Sequence, residues 1–204
     1  MSWSRKAIDG EREQTTEPSA PISHRARGKR WLTVREMTVF SMLGAILFCS
    51  KLLMEWAPNI HFVAAFIIAF TLVYRKKALI PIYIFVLLTG VYGGFNVWWV
   101  PYIYIWLPLW GITMLLPRRM PKWLAAACYM LLGGLHGIAY GILYAPAQAL
   151  FFKMDLSMTL AWIASGLVFD ILHSAGNFAA CALVLPISAL LFKLEKQTRK
   201  GRQL

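Results

Sequence analysis

The sequence IHFVAAFIIAFTLVYRKKALIPIYIFVLLTGVYGGF, residues 60–95, contains two apolar stretches divided by the basic triplet Arg75-Lys76-Lys77. A bilayer has a hydrocarbon core about 30 Å thick, and a helix needs about 20 apolar residues to cross it. Lys and Arg are enriched in the loops that stay in the cytoplasm. This segment therefore predicts two membrane helices joined by a turn on the cytoplasmic side.

The same pattern extends over the rest of the chain in both directions. With the N-terminus placed inside, nineteen of the 21 Lys and Arg residues fall on the cytoplasmic side, and only Lys51 and Lys153 fall outside. The sequence therefore predicts an all-α integral protein of a bacterial inner (plasma) membrane, with six transmembrane helices and both termini in the cytoplasm. The six apolar stretches cover residues 33–56, 60–74, 78–95, 97–116, 123–150 and 157–192.

Polar segments flank this membrane domain. Residues 1–32 are predicted to form a disordered basic cytoplasmic tail, because they are polar, contain Pro18 and Pro21, and lack the apolar segment of a secretory signal peptide. Residues 33–193 are predicted to form the six-helix domain, and residues 194–204 a second basic tail in the cytoplasm.

The composition narrows the range of functions. The chain is 59% hydrophobic and 15% charged, which is too apolar for an ordinary soluble domain. The six stretches leave no room for an ATP-binding domain and no Walker A motif occurs, so ATP-driven work needs a partner chain. The net charge of +12 is spread over the inner loops and tails, where it suits anionic lipid, and nucleic-acid binding is not predicted.

Motifs for metal binding and catalysis are missing from the sequence. Cys49, Cys128 and Cys181 all lie in apolar stretches without a CxxC spacing, which is typical of small buried residues. Neither GxSxG nor HExxH occurs. We therefore expect no metal, no other cofactor and no enzymatic activity.

Aromatic residues recur every four positions in the fourth stretch, at Trp98, Tyr102, Trp106 and Trp110, so they roughly share one helix face. The outermost of them suits the aromatic belt at the membrane surface. The deeper ones either pack against the core or lipid, or form the wall of a site for a flat ring ligand.

Two other segments are candidates for contacts beyond the bundle. Ser41, Gly44 and Ala45 are small residues that let another helix approach closely, either inside the bundle or from a partner protein. The segment 145–157 is predicted to be an external loop that lies on the membrane surface or acts as a lid.

Three polar residues of the sixth stretch, Asp170, His173 and Asn177, are spaced i, i+3 and i+7, so they share one face near mid-membrane. Ionisable groups inside a bilayer are costly and usually functional. Four interpretations are open: a hydrogen-bond network that fixes the bundle, a polar ligand site, a proton relay, or a catalytic pair. At the outer end of the first stretch, Lys51 and Glu55 lie one turn apart and can pair.

The end of the chain carries a resemblance to a known family. The run Phe169-Asp170-Ile171-Leu172-His173 through Asn177, followed by Pro186, resembles the F-D-x-x-H-x-x-x-N close of several substrate-binding (S) components of energy-coupling factor (ECF) vitamin transporters. The plan of six helices between residues 33 and 193 is similar to theirs. The small residues of the first helix stand where S components carry an Ala-x-x-x-Ala contact surface, with Ser41 and Ala45 in place of the Ala pair.

The resemblance implies a subunit that captures a vitamin or vitamin precursor outside the cell and delivers it through a transmembrane T component driven by two ATPase subunits. It implies docking on the T component through Ser41, Gly44 and Ala45, and a ligand site in the outer half of the bundle. On that basis the candidate substrate-binding residues are Asn59, His61, Asn96, Trp98, Tyr102, Gln148, Asp170, His173 and Asn177.

Three other functions compete with this interpretation. A stand-alone, proton-coupled carrier would use Asp170 and His173 as its relay and would need no ATPase. A small membrane enzyme acting on lipid would use them as an acid–base pair. A membrane anchor or sensor subunit would bind no small molecule tightly.

Overall fold

The computed structural model of the chain describes residues 32–57, 60–117 and 119–200, without the side chains of residues 198–200. Asn59, residues 201–204 and the predicted N-terminal tail up to residue 31 lie outside the described residues. All regular structure in the described ranges is helical. The α-helices are α1 (Val34–Leu53), α2 (Val63–Tyr74), α3 (Leu79–Gly93), α4 (Trp106–Leu115), α5 (Lys122–Ile138), α6 (Tyr140–Phe152), α7 (Leu156–Ala180) and α8 (Val184–Lys200).

Each of the six predicted apolar stretches is helical, and the longer ones suit a membrane. Three helical segments are long and apolar enough to cross a bilayer, namely Val34–Leu53, Lys122–Phe152 and Leu156–Gln197, and Val100–Leu115 is a shorter apolar segment. Two of these segments each consist of two consecutive helices: the first contains α5 and α6, and the second contains α7 and most of α8. The helices α2 and α3 rise by only about 18 and 22 Å along their axes.

Helix α2 lies in the middle of the bundle. It packs against α1, α4, α5, α7 and α8. Eight of its residues are buried, from Val63 to Thr71, on all sides of the helix. A helix that is apolar all round is stable only when it is surrounded, so its composition explains this central position.

The outside of the bundle is strongly apolar. Met42 on α1, Leu87 on α3, Leu135 on α5 and Phe169 on α7 are each about half exposed or more. A soluble monomer rarely exposes so much contiguous apolar surface, whereas lipid tails solvate it without penalty. The fold is therefore compatible with a membrane protein.

Ion pairs mark the two ends of the bundle. Arg35 Nη2 lies 3.5 Å from Glu195 Oε2, and Lys77 Nζ lies 2.6 Å from Glu36 Oε1. These pairs join the start of α1 to the end of α8 and to the turn after α2, and we call this the basic end. Lys51 and Glu55 pair at 3.8 Å at the other end of α1, about 25 Å away along the helix axis.

The predicted loop over residues 145–157 is wrong for most of its length. Residues 145–152 continue helix α6, with Pro146 inside it. A proline indicates a turn in a soluble protein, but neighbouring helices let it remain inside a membrane helix. The connection shrinks to residues 153–155, where Lys153 adopts a left-handed conformation with φ 52°.

Asp155 begins α7 as its N-cap. Its carboxylate accepts hydrogen bonds from the backbone N–H of Met158 at 2.7 Å and from the Ser157 hydroxyl at 2.8 Å. These bonds favour the ionised form, so they hold the pKa of Asp155 below its ordinary value. The cap fixes the point where the chain turns back into the bundle.

Candidate ligand-binding site

A cavity of about 240 Å³ lies at the end of the bundle opposite the basic end. The last turn of α1, the segment that leads into α2, the 3₁₀ turn Val100–Ile103, the start of α6 and the middle of α7 all contribute to it. The first two are consecutive in the chain, so four separate parts of the chain converge here. Its lining residues are Lys51, Met54, Glu55, Ala57, Ile60, His61, Tyr102, Tyr140 and His173.

The inner wall of the cavity is made of rings in edge-to-face contact. The ring of His173 lies 4.6 Å from that of Tyr140 and 4.8 Å from that of His61, between centroids. Edge-to-face packing is the favoured arrangement of such rings, and it leaves ring faces and edges available to a bound aromatic molecule. Tyr102 completes the wall, and Phe85 packs behind it at 6.3 Å.

Two imidazole nitrogens at the cavity have no hydrogen-bond partner among the described residues. These are Nδ1 of His61 and Nε2 of His173, and both atoms are buried. The His173 side chain is almost completely enclosed, with 3% of the residue exposed. A neutral imidazole has one donor and one acceptor, and buried polar atoms normally find partners. A ligand with a matching donor or acceptor would satisfy them.

A pair of opposite charges stands at the rim. Lys51 and Glu55 both line the cavity, and their Nζ and Oε1 atoms lie 3.8 Å apart. The sequence predicted this pair from its i, i+4 spacing, and the structure confirms it. A charged group on a ligand would meet a partner of opposite sign here.

The carboxylate of Asp170 bonds to the backbone of a neighbouring helix. Both of its carboxylate oxygens accept from the backbone N–H of Gly141, at 3.2 Å each. Gly141 lies in the first turn of α6, where backbone N–H groups lack partners within the helix. Asp170 therefore anchors the start of α6 to α7, and no direct hydrogen bond joins its carboxylate to His173.

The predicted shared face of Asp170, His173 and Asn177 is confirmed, since these are the buried residues of α7 together with Ala180. Only His173 of the three lines the cavity. Asn177 is fully buried deeper in the bundle, and within the described part of the chain neither atom of its amide has a partner.

Three other predicted residues lie outside the cavity lining. Asn96 is exposed, and its Oδ1 accepts from the backbone N–H of Trp98 at 3.2 Å, which stabilises a turn. Trp98 packs edge-to-face behind Tyr102 at 5.7 Å, and its carbonyl accepts from the Tyr144 hydroxyl. Gln148 is half-buried on α6. Asn59 is not among the described residues.

The aromatic residues of the fourth stretch divide between two roles. Tyr102 lines the cavity, whereas Trp106 is 2% exposed and stacks on His136 at 5.6 Å in the core. Trp110 lies towards the basic end, where its Nε1 donates to the Arg75 carbonyl at 3.3 Å. His136, on which Trp106 stacks, donates from its Nε2 to the Ile105 carbonyl at 3.0 Å.

Tyr140 is the main site residue that sequence reasoning missed. His136, Tyr140 and Tyr144 recur every four residues, which is the same signal that singled out the fourth stretch. Lys51 and Glu55 were recognised as a pair but not as part of a site. Their place in the cavity depends on the approach of Tyr102, Tyr140 and His173, which no local pattern predicts.

The small residues of α1 face different surroundings. A Cβ on Gly44 would come within 2.5 Å of the Ile84 side chain and 3.1 Å of the Pro81 carbonyl, so Gly44 packs inside the bundle against α3. Ser41 is exposed and Ala45 is partly exposed.

Among the described residues, no group of three or more His, Cys, Asp or Glu side chains could hold a metal ion. Comparison of the chain with protein-family models, with curated proteins and with solved structures finds no match.

Proposed function

We propose that this chain is the substrate-binding (S) component of an ECF-type importer, which captures a small ring compound outside the cell and passes it to a T component. The cavity carries the proposal, because it combines an aromatic wall with two unpartnered imidazole nitrogens at the end of the bundle remote from the basic residues. Capture and delivery need no catalytic residue.

The proposed topology has six spans with both termini in the cytoplasm. In it, α1, α2, α3 and α4 cross singly, and α5 with α6 and α7 with α8 form the last two crossings. The short α2 is surrounded by other helices, so lipid does not need to match its length. The basic end then faces the cytoplasm and the cavity opens outward, where a solute arrives.

The volume of the cavity restricts the ligand. A cavity of about 150 Å³ holds a benzene molecule, and pockets for drug-sized ligands begin at about 300 Å³. The value of about 240 Å³ therefore favours a single heteroaromatic ring with small substituents, such as a pyrimidine or pyridine, over a flavin or a corrinoid. The imidazole nitrogens would bind its ring nitrogens or substituents.

A thermal-shift screen of the detergent-purified chain against B-vitamins and their precursors tests the proposal. Tight binding stabilises the folded state by about 4 kcal/mol at a thousandfold excess over Kd. We expect a large shift with one pyrimidine or pyridine compound, and a loss of most of that shift in Tyr102→Ala.

Trp123→Ala is the matched control, because Trp123 is an aromatic residue 73% exposed at the other end of the bundle. It should leave the shift unchanged. A folded protein that shows no shift with any compound in the screen would contradict the proposal and favour a carrier, an enzyme or an anchor subunit.

A further inference from the structure

Lys51 supplies the positive charge of the ligand cavity. It lies in the last turn of α1 and is the one Lys or Arg among the described residues that line the cavity. Its Nζ lies 3.8 Å from Glu55 Oε1, which is within the range of an ion pair but too long for a hydrogen bond. An ammonium group carries three N–H donors, and within the described part of the chain none of those of Lys51 has an acceptor. These donors are therefore available to a ligand.

The two members of this ion pair differ in their exposure. The side chain of Lys51 is 22% exposed, whereas that of Glu55 is 47% exposed. The carboxylate therefore lies half in water, while most of the lysine side chain is covered by protein. An ion pair with one member so exposed contributes about 0–1 kcal/mol to stability. A ligand can separate the pair at little cost.

We propose that the ligand of this cavity is a heteroaromatic monocarboxylate whose carboxylate takes the place of Glu55 on Lys51. The inference rests on the proposed function, because it specifies the class of ring compound that the site takes. The ring then lies against the aromatic wall of Tyr102, Tyr140 and His173, and the carboxylate lies at the rim.

The unequal exposure of the pair favours an anionic ligand over a cationic one. An anion on Lys51 gives the more covered charge a partner and leaves Glu55 hydrated. A ligand cation would take Glu55 away from Lys51 and leave the ammonium group unpaired beside a second positive charge. A charge that protein covers needs a partner more than a charge in water does. A neutral ligand would displace water from Lys51 without supplying a charge in return.

The size of the cavity favours a carboxylate over a larger anion. A cavity of about 150 Å³ holds benzene, so about 240 Å³ leaves room for a ring with one small substituent. A carboxylate is planar and carries one negative charge, which matches the single ammonium group. A phosphate group is tetrahedral and carries about two negative charges near neutral pH, for which the cavity lining offers one cation.

Calorimetry with matched pairs of compounds tests the proposal on the detergent-purified full-length chain. The probes are pyridine-3-carboxylate with pyridine-3-carboxamide, and pyrimidine-5-carboxylate with pyrimidine-5-carboxamide. Within each pair the substituents have nearly the same shape and differ in charge, because a carboxylic acid is ionised at neutral pH. We expect at least one carboxylate to bind about tenfold more tightly than its amide, as one charge-assisted hydrogen bond predicts.

Variants of the ion pair should change this preference in opposite directions. Lys51→Gln should bring the two affinities of a pair close together, whereas Lys51→Arg keeps the charge and should keep the preference. Glu55→Gln removes the competing carboxylate, so it should raise the affinity for the carboxylate probe about threefold and leave that for the amide unchanged. Lys153→Gln is the matched control, because Lys153 is an exposed lysine outside the cavity lining.

Thermal unfolding of each variant checks that it is folded. Equal binding of acid and amide, a preference that persists in Lys51→Gln, a weaker carboxylate affinity in Glu55→Gln, or an equal loss in Lys153→Gln would each overturn the proposal. Tight binding of an uncharged ring compound in the thermal-shift screen would also overturn it while leaving the proposed function intact. If neither the four probes nor any compound of the screen binds, both the inference and the proposed function are wrong.

Discussion

The backbone N–H of Gly141 donates to both carboxylate oxygens of Asp170, at 3.2 Å each. The contact ties the first turn of α6 to the middle of α7. It also leaves no room for a side chain at position 141, because a Cβ there would lie 2.3 Å from Asp170 Oδ2. A carboxylate in this position compensates the unpaired N–H groups and the positive end of the helix dipole.

Gly141→Ala should therefore destabilise the fold by about 1–3 kcal/mol, because the added methyl group displaces the carboxylate. Thermal unfolding in detergent measures the effect. Gly166→Ala is the matched control, since Gly166 lies inside α7 and a Cβ at this position would have no neighbouring atom within 4 Å. There the better helix propensity of Ala should leave stability unchanged or raise it by up to about 1 kcal/mol. Equal effects at the two positions would contradict the assigned contact.

Ligand affinity should depend on His61 and not on Asn96. His61 lines the cavity with an unpartnered Nδ1, whereas Asn96 caps a turn through the backbone of Trp98. With the compound found by thermal shift, calorimetry should show affinity about tenfold lower for His61→Ala, the effect of losing one hydrogen bond of about 1.4 kcal/mol. Asn96→Ala should bind normally, and a tenfold loss there would place the ligand elsewhere.

The six-span topology predicts which residues react from which side of the membrane. In a chain whose three native cysteines are replaced by Ala, single cysteines at Glu55 and Lys153 should react with an impermeant maleimide added outside intact cells. Cysteines at Arg119 and Lys196 should react only after the cells are opened. All four residues are exposed, so a cysteine that fails to react lies on the other side of the membrane and is not protected by burial. Labelling of Lys153 from the inside would contradict the predicted orientation of the last two spans.

Docking on a T component should be sensitive to bulk at Ser41. Ser41 is exposed on α1, so Ser41→Trp should block close approach of another helix without unfolding the chain. We expect ligand binding, measured with purified protein, to remain. ATP-driven uptake, measured in cells, should fall. Gly44→Leu cannot serve for this test, because its side chain would collide with Ile84 and destabilise the bundle itself. Normal uptake by Ser41→Trp would exclude this face as the contact.

Much of the helical framework follows from local sequence. The run from Val63 to Tyr74 is apolar on all sides and becomes the buried central helix, and Arg75-Lys76-Lys77 ends it at the basic end. The loop predicted over residues 145–152 shows the limit of this reasoning. Pro146 breaks an isolated helix, but packing against α7 keeps α6 helical beyond it.

The residues of the candidate site were harder to predict from the sequence than the helices were. The sequence identified His61, Tyr102 and His173, which do meet at one cavity, but Asn96, Trp98, Gln148, Asp170 and Asn177 do not line it. Polar residues within an apolar stretch indicate a function or a structural contact, and spacing alone does not distinguish the two. Asp170 shows why: its partner is a backbone N–H 29 residues earlier in the chain.

By itself, the sequence determined that the chain is helical and apolar and that its charge is gathered between alternate stretches, because length, hydropathy and charge act along each segment independently. Only the tertiary structure decided which side chains form the cavity. His61, Tyr102, Tyr140 and His173 come from four separate parts of the chain, and their contact depends on how α6 packs against α7 and against the 3₁₀ turn Val100–Ile103. That packing depends on how the side chains of different helices fit together, and the sequence of one helix does not determine this fit.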